Sequence, residues 1–313
     1  MHSSPNNPES NQLGKGVTVA QLEAAVTLSG YPLQSVVAQR LIASSFSVTE
    51  EWGFLDRATN EHRSLDVFAY RHMLGPDCPD QLCPTVALLV ECKRGELPYV
   101  FFRAVSPRLP PDFPTVSGLK RRTVSVREPK RSQDVPLARV LGLSDHEFYS
   151  TPPICTTLSR PHRKGNGLEL SGADTFNSIV LPLVGAVEHW HAHNKVYSEN
   201  RFWPALSLCV CVIDTPMVVA EGTPEAPVMT LHPWVRLKRQ ESIADSDGRR
   251  RPAYYVVDLV HRSFLGDFID HELAAFAAFY CERVQKLGPV LAHYQALVAN
   301  LDSWTWSELK PSV

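Results

Sequence analysis

Three successive runs in the first third of the chain distribute apolar residues as β-strands do: FSVTEEWGF (46–54), HRSLDVFAY (62–70) and TVALLVECK (85–93). Side chains on a strand point to alternate faces, and the short polar turn LDRATNE between the first two runs predicts an antiparallel meander. The third run is continuously apolar from Val86 to Val90, the pattern of a strand covered on both faces in the middle of a sheet. Ahead of them, TVAQLEAAVTLSGYPLQSVVAQRLIASSF carries two helical patterns broken at Ser29-Gly30-Tyr31-Pro32. The second pattern repeats Leu33, Val36, Val37, Leu41 and Ile42, so that helix is expected to pack one face inward.

Further along, LPYVFFRA is followed by a proline-rich, partly basic stretch, about 105–170, in which no element is legible. Helical periodicity returns in DTFNSIVLPLVGAVEHWHAHNK (174–195), where Pro182 must kink the helix or open its second half. ALSLCVCVIDTPMVVA (205–220) reads as a buried strand, a Thr-Pro turn and a second strand; PWVRLKRQ (233–240) and AYYVVDLV (253–260) read as two more. Helices are expected over LGDFIDHELAAFAAFYCERVQKL and GPVLAHYQALVANL, with the Asp267 region as N-terminal cap. Residues 1–16 are rich in Ser, Asn and Pro and read as a loose tail, leaving 17–313 as a single domain.

Composition adds little to this and removes some options. With 313 residues and 44% hydrophobic positions the chain can bury a substantial core. Its 31 Lys and Arg against 33 Asp and Glu leave a net charge of −2, so any hold on a polyanion must come from local patches. Seven scattered cysteines fit a reducing compartment, and neither a signal-like start nor an apolar run of membrane-spanning length is legible; a cytoplasmic protein with no membrane partner is expected.

The chemistry concentrates on two of the apolar strands. Glu91 and Lys93 share a strand face, with Cys92 on the other, and Asp66 interrupts the neighbouring strand. If the two strands pair, Asp66 and Glu91 come within a few ångströms and repel each other. A hard divalent cation relieves this, ligated by the two carboxylates, a backbone carbonyl such as that of Cys92, and waters; Mg²⁺ (or Mn²⁺) suits that set. Such an ion acidifies a bound water for attack on a phosphodiester, and Lys93 is placed to hold the water or the phosphate.

SLDVFAY followed by LLVECKRG, behind the helix YPLQSVVAQRLIAS, resembles the D…(E)xK signature of the PD-(D/E)XK nuclease superfamily. The resemblance implies an α/β, restriction-endonuclease-like αβββαβ core with a mixed central sheet, here 31–103 and 174–220. A basic insertion (104–173) and additional C-terminal strands and helices (221–313) lie outside that core. It implies metal-dependent hydrolysis of nucleic-acid phosphodiesters, most simply of DNA, with Asp66 and Glu91 as ligands and Lys93 as catalytic lysine. Gln34 matches the first-helix Glu or Gln that many members place in the site. Leu65 stands where proline is common before the aspartate, and Gln34 replaces the more frequent acid.

Lys120, Arg121, Arg122, Arg127, Lys130 and Arg131 form a basic segment that can track a phosphate backbone or simply be solvated, and RPHRKGNG (160–167) has the same two readings. His189 and His193 are spaced i, i+4, but without an HExxH glutamate a solvated or helix-end role is expected rather than zinc. Cys209 and Cys211 read as core thiols, Tyr99, Phe101 and Phe102 as sheet packing, and Asp258 as non-catalytic. Two rival classes stay open: a catalytically inactive nucleic-acid-binding module with the same fold, and a protein-interaction scaffold presenting the C-terminal helices. A homodimer surface is not legible.

Overall fold

The computed structural model describes residues 4–56, 59–74, 82–194, 202–244 and 250–312. Cys78 and residues 245–249, between the two strand candidates PWVRLKRQ and AYYVVDLV, lie outside the described residues. The expected opening is present: α1 (Val19–Leu28), α2 (Tyr31–Ala43), β1 (Ser47–Asp56), β2 (Glu61–His72), β3 (Thr85–Arg94) and β4 (Tyr99–Arg103). Thr18 closes a capping box with Gln21 at the start of α1, and Pro32 opens α2.

The stretch in which no pattern was legible holds β5 (Thr115–Ser117), β6 (Thr123–Glu128), β7 (Arg131–Pro136), the short α3 (Leu137–Val140), β8 (Ile154–Lys164) and β9 (Gly167–Ser171). Then come α4 (Ala173–His193), β10 (Ala205–Asp214), β11 (Met217–Thr223), β12 (Ala226–Leu231), β13 (Trp234–Ala244) and β14 (Arg250–His261). Pro182 sits inside an unbroken α4. The C-terminal helices are α5 (Leu265–Asp267), continued by a π-helical turn over Phe268–Leu273, α6 (Ala274–Lys286) and α7 (Gly288–His293), followed by β15 (Gln295–Leu297) and β16 (Lys310–Pro311).

Two expectations fail here. GPVLAHYQALVANL is helical only to His293; Tyr294 turns left-handed at φ 55° and the next residues pair as β15 with β6. Asp267 does not cap, because the helix already begins at Leu265 and no side-chain cap bond forms there.

The main sheet runs β1-β2-β3-β10-β14-β13-β8-β4-β11-β12, with β5 also paired to β10 and β9 to β8. The meander β1-β2-β3 is antiparallel, whereas β3, β10 and β14 are parallel, making this a mixed sheet. A four-stranded sheet, β16-β15-β6-β7, stands beside it.

Strand alternation divides the core in two. Val86, Leu88, Val90 and Cys92 of β3 pack with Leu33, Val37 and Leu41 of α2 and with Phe276, Tyr280 and Val284 of α6. Ala87 and Leu89 pack with Ile179, Val180 and Leu183 of α4 on the other face. At the centre Arg236 and Asp258 form a fully buried pair at 2.8 Å, with Arg236 Nη1 donating to the Phe148 and Tyr149 carbonyls and Trp234 Nε1 donating to Asp258. Asp258 is thus occupied structurally.

Candidate active site at the open end of β2 and β3

The β2·β3 ladder ends at the pair Val67↔Val90, one step before Asp66 and Glu91 would meet. The alternation of β2 breaks at the same place: Leu65 and Val67, two residues apart, enter opposite cores. Across β2, Glu50 pairs with Val67 and Trp52 with Leu65, while Glu51 between them has a left-handed φ of 49°. The strands therefore separate locally at Asp66.

Asp66 turns into this gap and accepts the Cys92 backbone N–H at 2.6 Å, in place of a strand partner. In an extended strand the N–H and C=O of one residue point to the same neighbour, so the Cys92 carbonyl faces the gap as well. Glu91 and Lys93 lie on the α4 face, joined by an ion pair at 2.6 Å. The Asp66 and Glu91 carboxyls are close enough to perturb each other's ionisation. Asp66, Glu91 and Lys93 thus come together; Glu91 is 4% exposed, while Lys93 and Asp66 are half-buried.

Burial dominates the electrostatics. It pushes the Glu91 carboxyl up to about 7; Lys93 opposes the shift, and the Asp66 and Glu51 charges add to it. Asp66 is also raised by burial, tempered by the Cys92 N–H and by Lys93 and reinforced by Glu51. For Lys93 burial acts to lower the pKa, but the Glu91 carboxylate, with a smaller contribution from Asp66, outweighs it and the ammonium is stabilised. The site is a compact acid-acid-base cluster in which Lys93 lies where positive charge is wanted.

Sequence reasoning missed Glu51. It is exposed, accepts from the Ser64 hydroxyl at 3.0 Å, and places a third negative charge on Asp66 and Glu91. The signal was the doubled acid in VTEEWGF, which breaks the alternation of the first strand. Gln34 behaves differently. It is buried in the first turn of α2 and makes no side-chain hydrogen bond among the described residues, and α2 packs on the Val90 and Cys92 face, opposite Glu91 and Lys93. No bond joins Gln34 to the cluster.

The basic segment is not brought to the cluster either. β5 pairs with the first residues of β10, at the Thr85 end of β3, and the chain leaves it for Lys120 near the Phe202 ring. Eight residue steps along the strand separate Thr85 from Lys93, about 25 Å. Arg121 lies over Tyr294, Arg122, Arg127 and Lys130 are exposed, and Arg131 is paired with Glu128 and Asp302. His189 accepts from the Leu55 N–H and its ring stacks on His193. Tyr99 and Phe101 are buried, whereas Phe102 is partly exposed.

Among the described residues no group of three or more His, Cys, Asp or Glu side chains is arranged to hold a metal. Two carboxylates and one backbone carbonyl remain, a donor set that suits a hard cation keeping several waters rather than a closed protein cage. No described helix is long and apolar enough to cross a membrane. No family model, curated protein or solved structure matches this chain.

Proposed function

We propose that this protein is a metal-dependent nuclease with a restriction-endonuclease-like core, hydrolysing phosphodiester bonds of DNA with Mg²⁺ or Mn²⁺. The observation that supports this most is the meeting of Asp66, Glu91 and Lys93 where the β2·β3 ladder opens. The contiguous set β1-β2-β3-β10, with α2 before it and α4 between β3 and β10, accords with an αβββαβ order.

Asp66, Glu91 and the Cys92 carbonyl would hold the ion, which supplies an acidified water and neutralises charge on the phosphate. For this the Glu91 carboxylate must let go of Lys93. The freed ammonium then holds the nucleophile or the scissile phosphate, while Asp66 keeps its orientation through the Cys92 N–H.

The same ion pair supports a second reading. Glu91 and Lys93 satisfy each other under cover, as they would in a catalytically inactive nucleic-acid-binding or protein-interaction module. Incubation with plasmid and single-stranded DNA separates the two. The nuclease reading expects cleavage with Mg²⁺ or Mn²⁺ that chelation abolishes, and a loss of about a hundredfold or more in Asp66→Ala and Lys93→Ala. Salt-sensitive DNA binding with no cleavage under any metal would leave the module.

A further inference from the structure

A cavity of about 640 Å³ opens beyond the carboxyl end of β3, lined by Tyr99, Arg160, His162, Arg163, Thr175 and Ser178 among others. Two contacts place it at the turn that follows the acid-base cluster. The Arg160 guanidinium lies against Gly95, two residues after Lys93, so closely that a Cβ at Gly95 would collide with it. It also lies over the Tyr99 ring at 5.6 Å, and Tyr99 in turn feels the Lys93 charge.

The charge in this cavity is unbalanced. Glu169 is shared between Lys164 at 2.5 Å and His162 at 3.7 Å, but neither Arg160 nor Arg163 has a carboxylate partner among the described residues. A guanidinium without a counterion in a concave, half-buried setting is a ready site for a phosphate, which it can bind through two parallel hydrogen bonds. The hydroxyls of Thr175 and Ser178 already donate to the Ser171 and Thr175 carbonyls, so the arginines are the principal donors. β8 carries the arginines here because its first residues pair with β13 and its middle with β4, the strand that follows the β3 turn.

We propose that this cavity binds the sugar-phosphate backbone of a nucleic-acid strand next to the bond presented to Lys93, with Arg160 as the inner anchor and Arg163 at the rim. The assignment rests on the nuclease reading for its orientation, but the binding itself needs neither metal nor turnover. It gives the RPHRK segment, rather than the 119–131 segment, the role of holding the strand at the reaction site.

The test is fluorescence anisotropy with a labelled single-stranded oligonucleotide in excess chelator, over a salt series. Arg160→Gln/Arg163→Gln is expected to bind about fivefold or more weakly, with the slope of log affinity against log salt reduced by about 0.7 for each phosphate no longer neutralised. Arg160→Lys should keep most of the slope, and Lys130→Gln should leave affinity and slope as in the wild type. Matching thermal melts show that the variants fold. Unchanged affinity and slope in the double variant, or no oligonucleotide binding by the wild type, overturns the proposal. Because the assay excludes metal, a protein that binds through these arginines yet never cleaves would sink the nuclease reading and leave the cavity assignment standing. Cleavage with an unaltered KM in the double variant would do the reverse.

Discussion

Glu91 holds its proton to a higher pH than an ordinary carboxyl does. Its pKa is raised from 4.5 to about 7, chiefly by burial. The unfolded chain releases that proton near 4.5, so the contribution of Glu91 to stability is full below that pH and is lost as pH rises through about 7. For one group with a shift of this size the loss is about 3 kcal/mol. Melting curves in chelator are therefore expected to fall in midpoint across that window, and Glu91→Gln should flatten the fall; parallel slopes in the two proteins would contradict it. Glu51→Ala removes one of the charges that raise Glu91, so the window should move to lower pH in the same measurement. Glu91 and Lys93 were legible because strand alternation fixes which residues share a face, and Asp66 because an acid interrupts an otherwise apolar strand. Glu51 was not, since its role depends on a left-handed backbone that brings it beside Asp66.

Among the elements, β13 and β14 are tied by the buried Arg236–Asp258 pair, held against Phe113, Phe148 and Trp234. Removing one partner leaves a charge without compensation. Asp258→Ala is expected to lower unfolding free energy by about 3–5 kcal/mol in denaturant titrations, whereas replacing both partners by apolar residues of similar size should cost much less. At the other extreme, α1 buries none of its residues, and Val26 and Leu28 are exposed. An Arg94 guanidinium bond to the Thr27 carbonyl links it to the sheet. Deleting residues 1–28 should shift the thermal midpoint by no more than about 2 °C, which differential scanning calorimetry would register. Both strands of the β13–β14 pair were legible as apolar runs, but the short strands of 115–136 were not. Three to six residues carry too few periods to stand out, and these strands exist because distant partners supply their hydrogen bonds.

For the molecule as a whole, a cation held by Asp66 and Glu91 as proposed would stabilise the folded state, because the unfolded chain does not bring the two carboxylates together. At a hundredfold excess over Kd the gain is about 2.7 kcal/mol. Mg²⁺ should therefore raise the melting midpoint by several degrees in the wild type and not in Asp66→Ala; equal shifts in both would remove Asp66 from the ligand set. Binding should tighten as pH rises through about 7, because the ion competes with the Glu91 proton. The whole-molecule architecture also sets the two basic segments apart. Lys120 to Arg122 lie at the Thr85 end of the central strands, whereas Arg160 and Arg163 lie at the Lys93 end.

Sequence alone determined the strands β1 to β3, the helix α2 before them and the presentation of Glu91 and Lys93 on one face, because each follows from a local period of side-chain direction. The tertiary structure decided where the β2·β3 ladder opens, that Glu91 is covered, that Gln34 lies behind the sheet, and which arginines stand beside the cluster. Those depend on pairings between residues tens of positions apart, whose register no local period encodes.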